Sequence, residues 1–106
     1  MTELPHYNAL LTLAIPTALE DEVLDFLQSN SGWASGFSIL NAQGMGQGAP
    51  LHSSMERVQG RSSRRLVMVA GVEADLRELL QALARAVRSA DVAYWISPLA
   101  GCGRLA

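Results

Sequence analysis

Apolar positions along the chain switch between two periods, and the switches lay out its elements. From Tyr7 to Ile15 the spacing is two: Leu11, Leu13 and Ile15 share one face of a strand, with Leu10, Thr12 and Ala14 on the other. Pro16 closes this strand because its ring has no amide to donate to a ladder. Thr17 and Glu20 then stand at capping-box spacing, and Glu20, Asp21 and Glu22 suit the positive end of a helix dipole. Leu19, Val23, Phe26 and Leu27 form the stripe of that helix, which Ser29-Asn30-Ser31-Gly32 ends. A second strand runs from Gly36 to Gln43, with Phe37 and Ile39 on one face and Leu40 on the other.

From Gly44 to about Ser63 the period disappears. Glycines at 44, 46, 48 and 60, with Pro50, punctuate this stretch. A connection of that length inside a compact domain is uncommon and usually functional or mobile, so a long flexible loop over 44–63 is expected. Leu66 to Ala70 is a third, almost continuously apolar strand. A second helix follows from about Ala74 to Arg88, with Leu76, Leu79, Leu80, Leu83 and Val87 on its buried stripe. Val92 to Ser97 makes the fourth strand. The order β-α-β-β-α-β is the split βαβ plan, so the fold expected is α+β, a ferredoxin-like sandwich in a single domain over 1–106.

Two helices cover only one face of such a sheet. The opposite face should alternate toward polar residues if water bathed it. Instead the first strand offers Leu10 and Ala14 there, the third is apolar on both faces, and Tyr94 and Trp95 lie on opposite faces of the fourth. At about 25 cal/mol per Å² of apolar surface, covering a few hundred Å² is worth several kcal/mol. Self-association is therefore expected, with the tail 98–106 or the long loop as the alternative cover.

Composition narrows the setting. The chain has 106 residues, 49% of them hydrophobic, enough for one core. No apolar run reaches the ~18–20 residues of a membrane span. The segment Met1-Thr2-Glu3-Leu4-Pro5-His6 has neither the basic start nor the apolar stretch of a signal peptide, which points to the cytoplasm. Cys102 has no cysteine partner within the chain. All 8 basic residues are arginine, all of them fall after Glu56, and the net charge is −2, so nucleic acid is not an expected partner.

Few residues suggest chemistry. Gly44, Gly46, Gln47 and Gly48, with Met45 among them, bring closely spaced backbone amides that can nest an anion, although no helix opens behind them as a dinucleotide fingerprint requires. Arg57, Arg61, Arg64 and Arg65 close the same segment and suit phosphate or carboxylate. A plain loop base and a solvated strand entry account for these residues equally well. His52 and Met55, with Met45 and Cys102 elsewhere, are soft ligands of the type monovalent copper takes, but they match no closed site. No serine, histidine or cysteine is fixed in a nucleophilic arrangement, and no motif identifies a cofactor.

The plan, the long central loop and the expected oligomer resemble the PII signal-transduction superfamily. The run Tyr94-Trp95-Ile96-Ser97-Pro98 and the tail Gly103-Arg104-Leu105 are similar to those of a small proteobacterial PII-like family of unknown function, over nearly the whole chain. The resemblance implies a trimer of ferredoxin-like subunits whose long loop engages partners. It also implies a regulatory role beside heavy-metal efflux genes, with a membrane efflux pump as partner. Nucleotide-binding PII proteins use a Gly-x-Gly-Arg-Gln segment at the loop base. Gly44-Met45-Gly46-Gln47 is similar but lacks the arginine, and Arg88-Ser89-Ala90-Asp91 replaces the basic glycine-rich loop of that family. The loop also lacks the tyrosine that some members uridylylate.

The reading that follows is a non-enzymatic, cytoplasmic sensor, a homotrimer that binds a small molecule or metal ion at subunit clefts and signals through 44–63. Its ligand site would use Gly44, Gly46, Gln47, Gly48, Arg61 and Arg104, and any metal would fall to His52 and Met55. Two alternatives stay open: a trimeric metal-binding protein resembling the divalent-cation-tolerance proteins, and a small enzyme of the dimeric ferredoxin-like barrel type.

Overall fold

A computed structural model describes residues 2–3, 7–45, 51 and 53–106, with backbone alone at 2, 3, 58 and 59. The elements in order are β1 (Thr2–Glu3), β2 (Ala9–Pro16), α1 (Glu20–Ser29), β3 (Ser38–Gly44), α2 (Ser54–Gln59), β4 (Ser62–Gly71), α3 (Glu73–Ala86), β5 (Ala93–Pro98) and β6 (Gly103–Arg104). Four strands form one antiparallel sheet in the order β3-β4-β2-β5, and β1 pairs with β6. With α1 and α3 joining the strands, this is the expected α+β ferredoxin-like sandwich.

Leu11, Leu13 and Ile15 of β2 are fully buried beside Val67 and Val69 of β4, against Val23 and Leu27 of α1 and Leu76 and Leu79 of α3. This one apolar layer positions everything else. Helix α1 ends where the Asn30 side-chain amide donates to the Phe26 carbonyl at 2.8 Å. Helix α3 begins at a non-local cap: the Glu73 amide donates to Oδ1 of Asn8 at 2.8 Å, from the far end of the chain.

Two local expectations change. Thr17 and Glu20 do not form a capping box: Thr17–Leu19 makes a 3-10 turn, and α1 starts after it with no side-chain cap. Glu20 is drawn off by Arg65, whose Nε donates to its carboxylate at 2.6 Å. Nor is 44–63 without secondary structure, because α2 occupies Ser54–Gln59. The segment therefore ends in a helix and a strand entry, and β4 is longer than its apolar stretch implied, starting at Ser62.

Candidate functional site: a cleft at the base of the central segment

The sequence builds α2 with three local devices. Ser53 Oγ accepts from the Glu56 amide at 3.1 Å, an N-cap that satisfies one orphan donor of the first turn. Gly60 stops the helix at φ 69, the left-handed backbone that glycine adopts without strain. Glu56 then turns its carboxylate onto the Ser63 amide at 2.6 Å and is buried in doing so. The helix is thereby tied to the first residues of β4.

Alternation along β4 sends its neighbouring arginines to opposite faces. Arg65 joins Val67 and Val69 on the helix side, where it meets Glu20. Arg64 joins Leu66 and Met68 on the side with no helix, in register with Ala42 and Pro16. There a cleft of ≈ 420 Å³ opens at the end of the sheet, between Gly44 and Met45 of the β3 end, Arg64 and Leu66 of β4, and Asp91 and Trp95 of the β5 side, with Ala14 beneath.

Arg64 is the buried charge of this cleft, only 4% exposed. Its Nε donates to Ser62 Oγ and its Nη1 to the Asp91 carbonyl, both at 2.9 Å. Both acceptors are neutral. Its Nη2 is buried and has no hydrogen-bond partner among the described residues. Among the described residues no carboxylate pairs with it, and taking a cation out of water without one is costly, so this guanidinium is the electrostatic feature that asks for an explanation.

The other expected site residues divide. Gly44 lines the cleft. Gly46, Gln47, Gly48 and His52 lie outside the described residues. Arg61 reaches Oε1 of Gln43 at 3.1 Å on the exposed side of the β3–β4 hairpin, and Arg104 sits in β6 paired with Thr2; neither lines the cleft within one protomer. Met55 is exposed on α2. Among the described residues no three of His, Cys, Asp and Glu converge as a metal site, and no helix is long and apolar enough to cross a membrane. Of the four arginines that close the segment in sequence, Arg64 alone lines the cleft, and Trp95, expected only as part of an apolar strand face, lines it too.

The family described as "Protein of unknown function (DUF3240)" matches residues 6–106. The chain belongs to the DUF3240 family. A DUF3240 protein from Shewanella baltica OS155 has the same fold at a TM-score of 0.75 and 25% identity, over 94% of this chain and 98% of the other. CPII, a nitrogen regulatory PII-like protein from Thiomonas intermedia K12 bound to ADP, AMP and bicarbonate, superposes at 0.66 with 16% identity, covering 92% and 93%. CutA from Synechococcus elongatus PCC7942 gives 0.67 with 18% identity, covering 92% and 81%. No curated protein matches the chain. This DUF3240 chain thus has the PII-like ferredoxin fold.

Proposed function

We propose that this protein is a non-enzymatic PII-like sensor. It assembles as a homotrimer, takes a small ligand at the clefts between protomers, and signals through 44–63, with heavy-metal efflux as the process it serves. The observation that carries this reading is the open face of the sheet. Leu10, Ala14, Leu66 and Met68 are only partly buried there, and Leu40 and Trp95 stand 49% and 48% exposed. Both edge strands carry such residues, so further copies of the same chain can cover the face and wall the cleft at once.

A glycine-rich segment beside a cleft gives an order–disorder signal a physical route. A ligand that contacts the Gly44 end fixes the segment, and the fixed segment offers a partner a different surface. The PII-like likeness supports ligand binding by this fold, and CPII is a relative in fold bound to ADP, AMP and bicarbonate. The missing arginine after Gly46 and the acidic turn at Asp91 favour weak ATP binding or none in this chain.

Native mass spectrometry of the purified protein tests the proposal, because it reports assembly and carried ligand together. A trimer mass with a small adduct is expected, and a stable monomer at micromolar concentration overturns the reading. Calorimetry with ATP, ADP and cyclic AMP on the wild type and Arg104→Ala then asks whether any nucleotide is taken. Tight ATP binding would show that the altered loop base matters less than its residues imply.

A further inference from the structure

We infer that Arg64 is the anchor of the cleft and that the group it receives is a carboxylate-type monoanion carried on a flat apolar body. The inference rests on reading this cleft as a ligand site, and it adds the chemistry of the ligand to that reading.

Three observations lead there. First, the guanidinium is committed on two of its nitrogens and uncommitted on the third. Nε and Nη1 are held at 2.9 Å by Ser62 Oγ and the Asp91 carbonyl, which fixes the plane of the fork, while the buried Nη2 has no partner among the described residues. A rigid, desolvated donor of this kind is preorganised for an acceptor that arrives later. Second, one free nitrogen suits a singly charged, two-oxygen acceptor better than a phosphate dianion, which needs more donors. Third, most of the remaining lining is apolar, with Gln43 the polar exception: Ala14, Leu66 and the half-exposed Trp95 indole offer a surface for a flat hydrophobic body rather than a sugar. Sequence alternation decides that Arg64 and not Arg65 points here, because Arg65 is on the other face with Glu20.

The test is a titration of the ¹⁵N-labelled full-length protein with benzoate, with inorganic phosphate as the second probe. Millimolar benzoate should shift the Arg64 Nε–H and Trp95 indole N–H resonances together, and phosphate should leave the Trp95 resonance where it is. In Arg64→Gln the benzoate affinity should fall about tenfold or more, the scale of a lost charge-assisted hydrogen bond. Arg64→Lys keeps the charge without the fork and should retain part of it; it also serves if the glutamine variant does not fold.

No shift with benzoate, or equal affinity in the wild type and either variant, overturns the inference. Phosphate binding more tightly than benzoate overturns the choice of a monoanion. The sensor proposal fails separately: a trimer that carries a ligand unaffected by Arg64→Gln removes Arg64 alone, whereas a monomer with no ligand removes the sensor.

Discussion

Removing the Glu56 carboxylate should release α2 from the sheet without unfolding the domain. Glu56 is 7% exposed, and its Oε2 accepts from the Ser63 amide at 2.6 Å. That amide belongs to the first turn of pairing between β4 and β3, where Ser63 faces Gln43. A hydrogen bond to a charged acceptor contributes ~2 kcal/mol, and Glu56→Ala also leaves the Ser63 donor without its partner. Opening of the 54–63 segment should therefore become about 30-fold more frequent, since each ~1.4 kcal/mol is a factor of ten. The core is built from other residues: Leu11, Val67, Val69 and Leu76 are fully buried in a cluster that includes no described residue of α2. Amide hydrogen exchange separates the two effects. Faster exchange is expected at Ser63, whose amide bonds to the carboxylate, and at Gly60 and Arg61, whose amides bond to the Glu56 backbone carbonyl and open with the segment, with no change at Val67 and Val69. Glu56→Gln keeps a neutral acceptor and should fall between, at about 1 kcal/mol. Unchanged protection at Ser63 in Glu56→Ala would refute the clamp, and loss of protection through the whole sheet would show that α2 is part of the cooperative core.

Three further substitutions probe single features. Asn8→Ala removes the side-chain oxygen that caps α3 and should cost about 1 kcal/mol in urea denaturation with faster exchange at Glu73, while Asn8→Asp, an anion at a helix N-terminus, should not. Gly60→Ala meets no atom within 4 Å, so its whole cost comes from φ +69; about 1 kcal/mol is expected, confined to exchange at 60–61. Met68→Glu places a charge in the middle of the open sheet face, in register with Thr12 and Ser38, and should reduce the light-scattering mass to that of one chain; an unchanged mass would show that the face is not the interface.

The periods in the sequence read the sheet and both main helices well because the forces behind them are local. Alternation in Leu11, Leu13 and Ile15 and the 3.6 spacing of Leu76, Leu79 and Leu83 reflect burial against a single layer, and each of these residues is buried. Caps are less legible, for a reason visible in two places. Thr17-x-x-Glu20 and Ser53-x-x-Glu56 have the same spacing. The first makes no cap, because Arg65 lies across from the start of α1 and takes Glu20. The second forms its serine half, and its glutamate goes to Ser63 instead of back to the cap. A capping signal states which bonds are available; a cation or an amide brought near by tertiary structure decides which are made. The α3 cap makes the same point, since Asn8 stands 65 residues before the amide it receives.

The cleft follows the same rule. Period two along Ser62–Gly71 is enough to place Arg64 with Leu66 and Arg65 with Val67. It says nothing of which arginine loses its water. That is settled by the Asp91 carbonyl, 27 residues further on, which accepts from Nη1 and draws the guanidinium across the end of the sheet. Once the fork is held on its Ser62 and Asp91 sides, turning Nη2 back to water would break two bonds at 2.9 Å. The polar group left over is therefore a consequence of the fold's closure and not of the arginine's own preference. A ligand or a neighbouring copy that supplied an acceptor there would recover a desolvation cost the monomer has already met, and on the proposal above that would favour negative charge in the cleft without a cluster of basic residues. A single charge would suffice there because it is buried; the exposed Arg61, nearer the glycines in sequence, would contribute far less per contact in water.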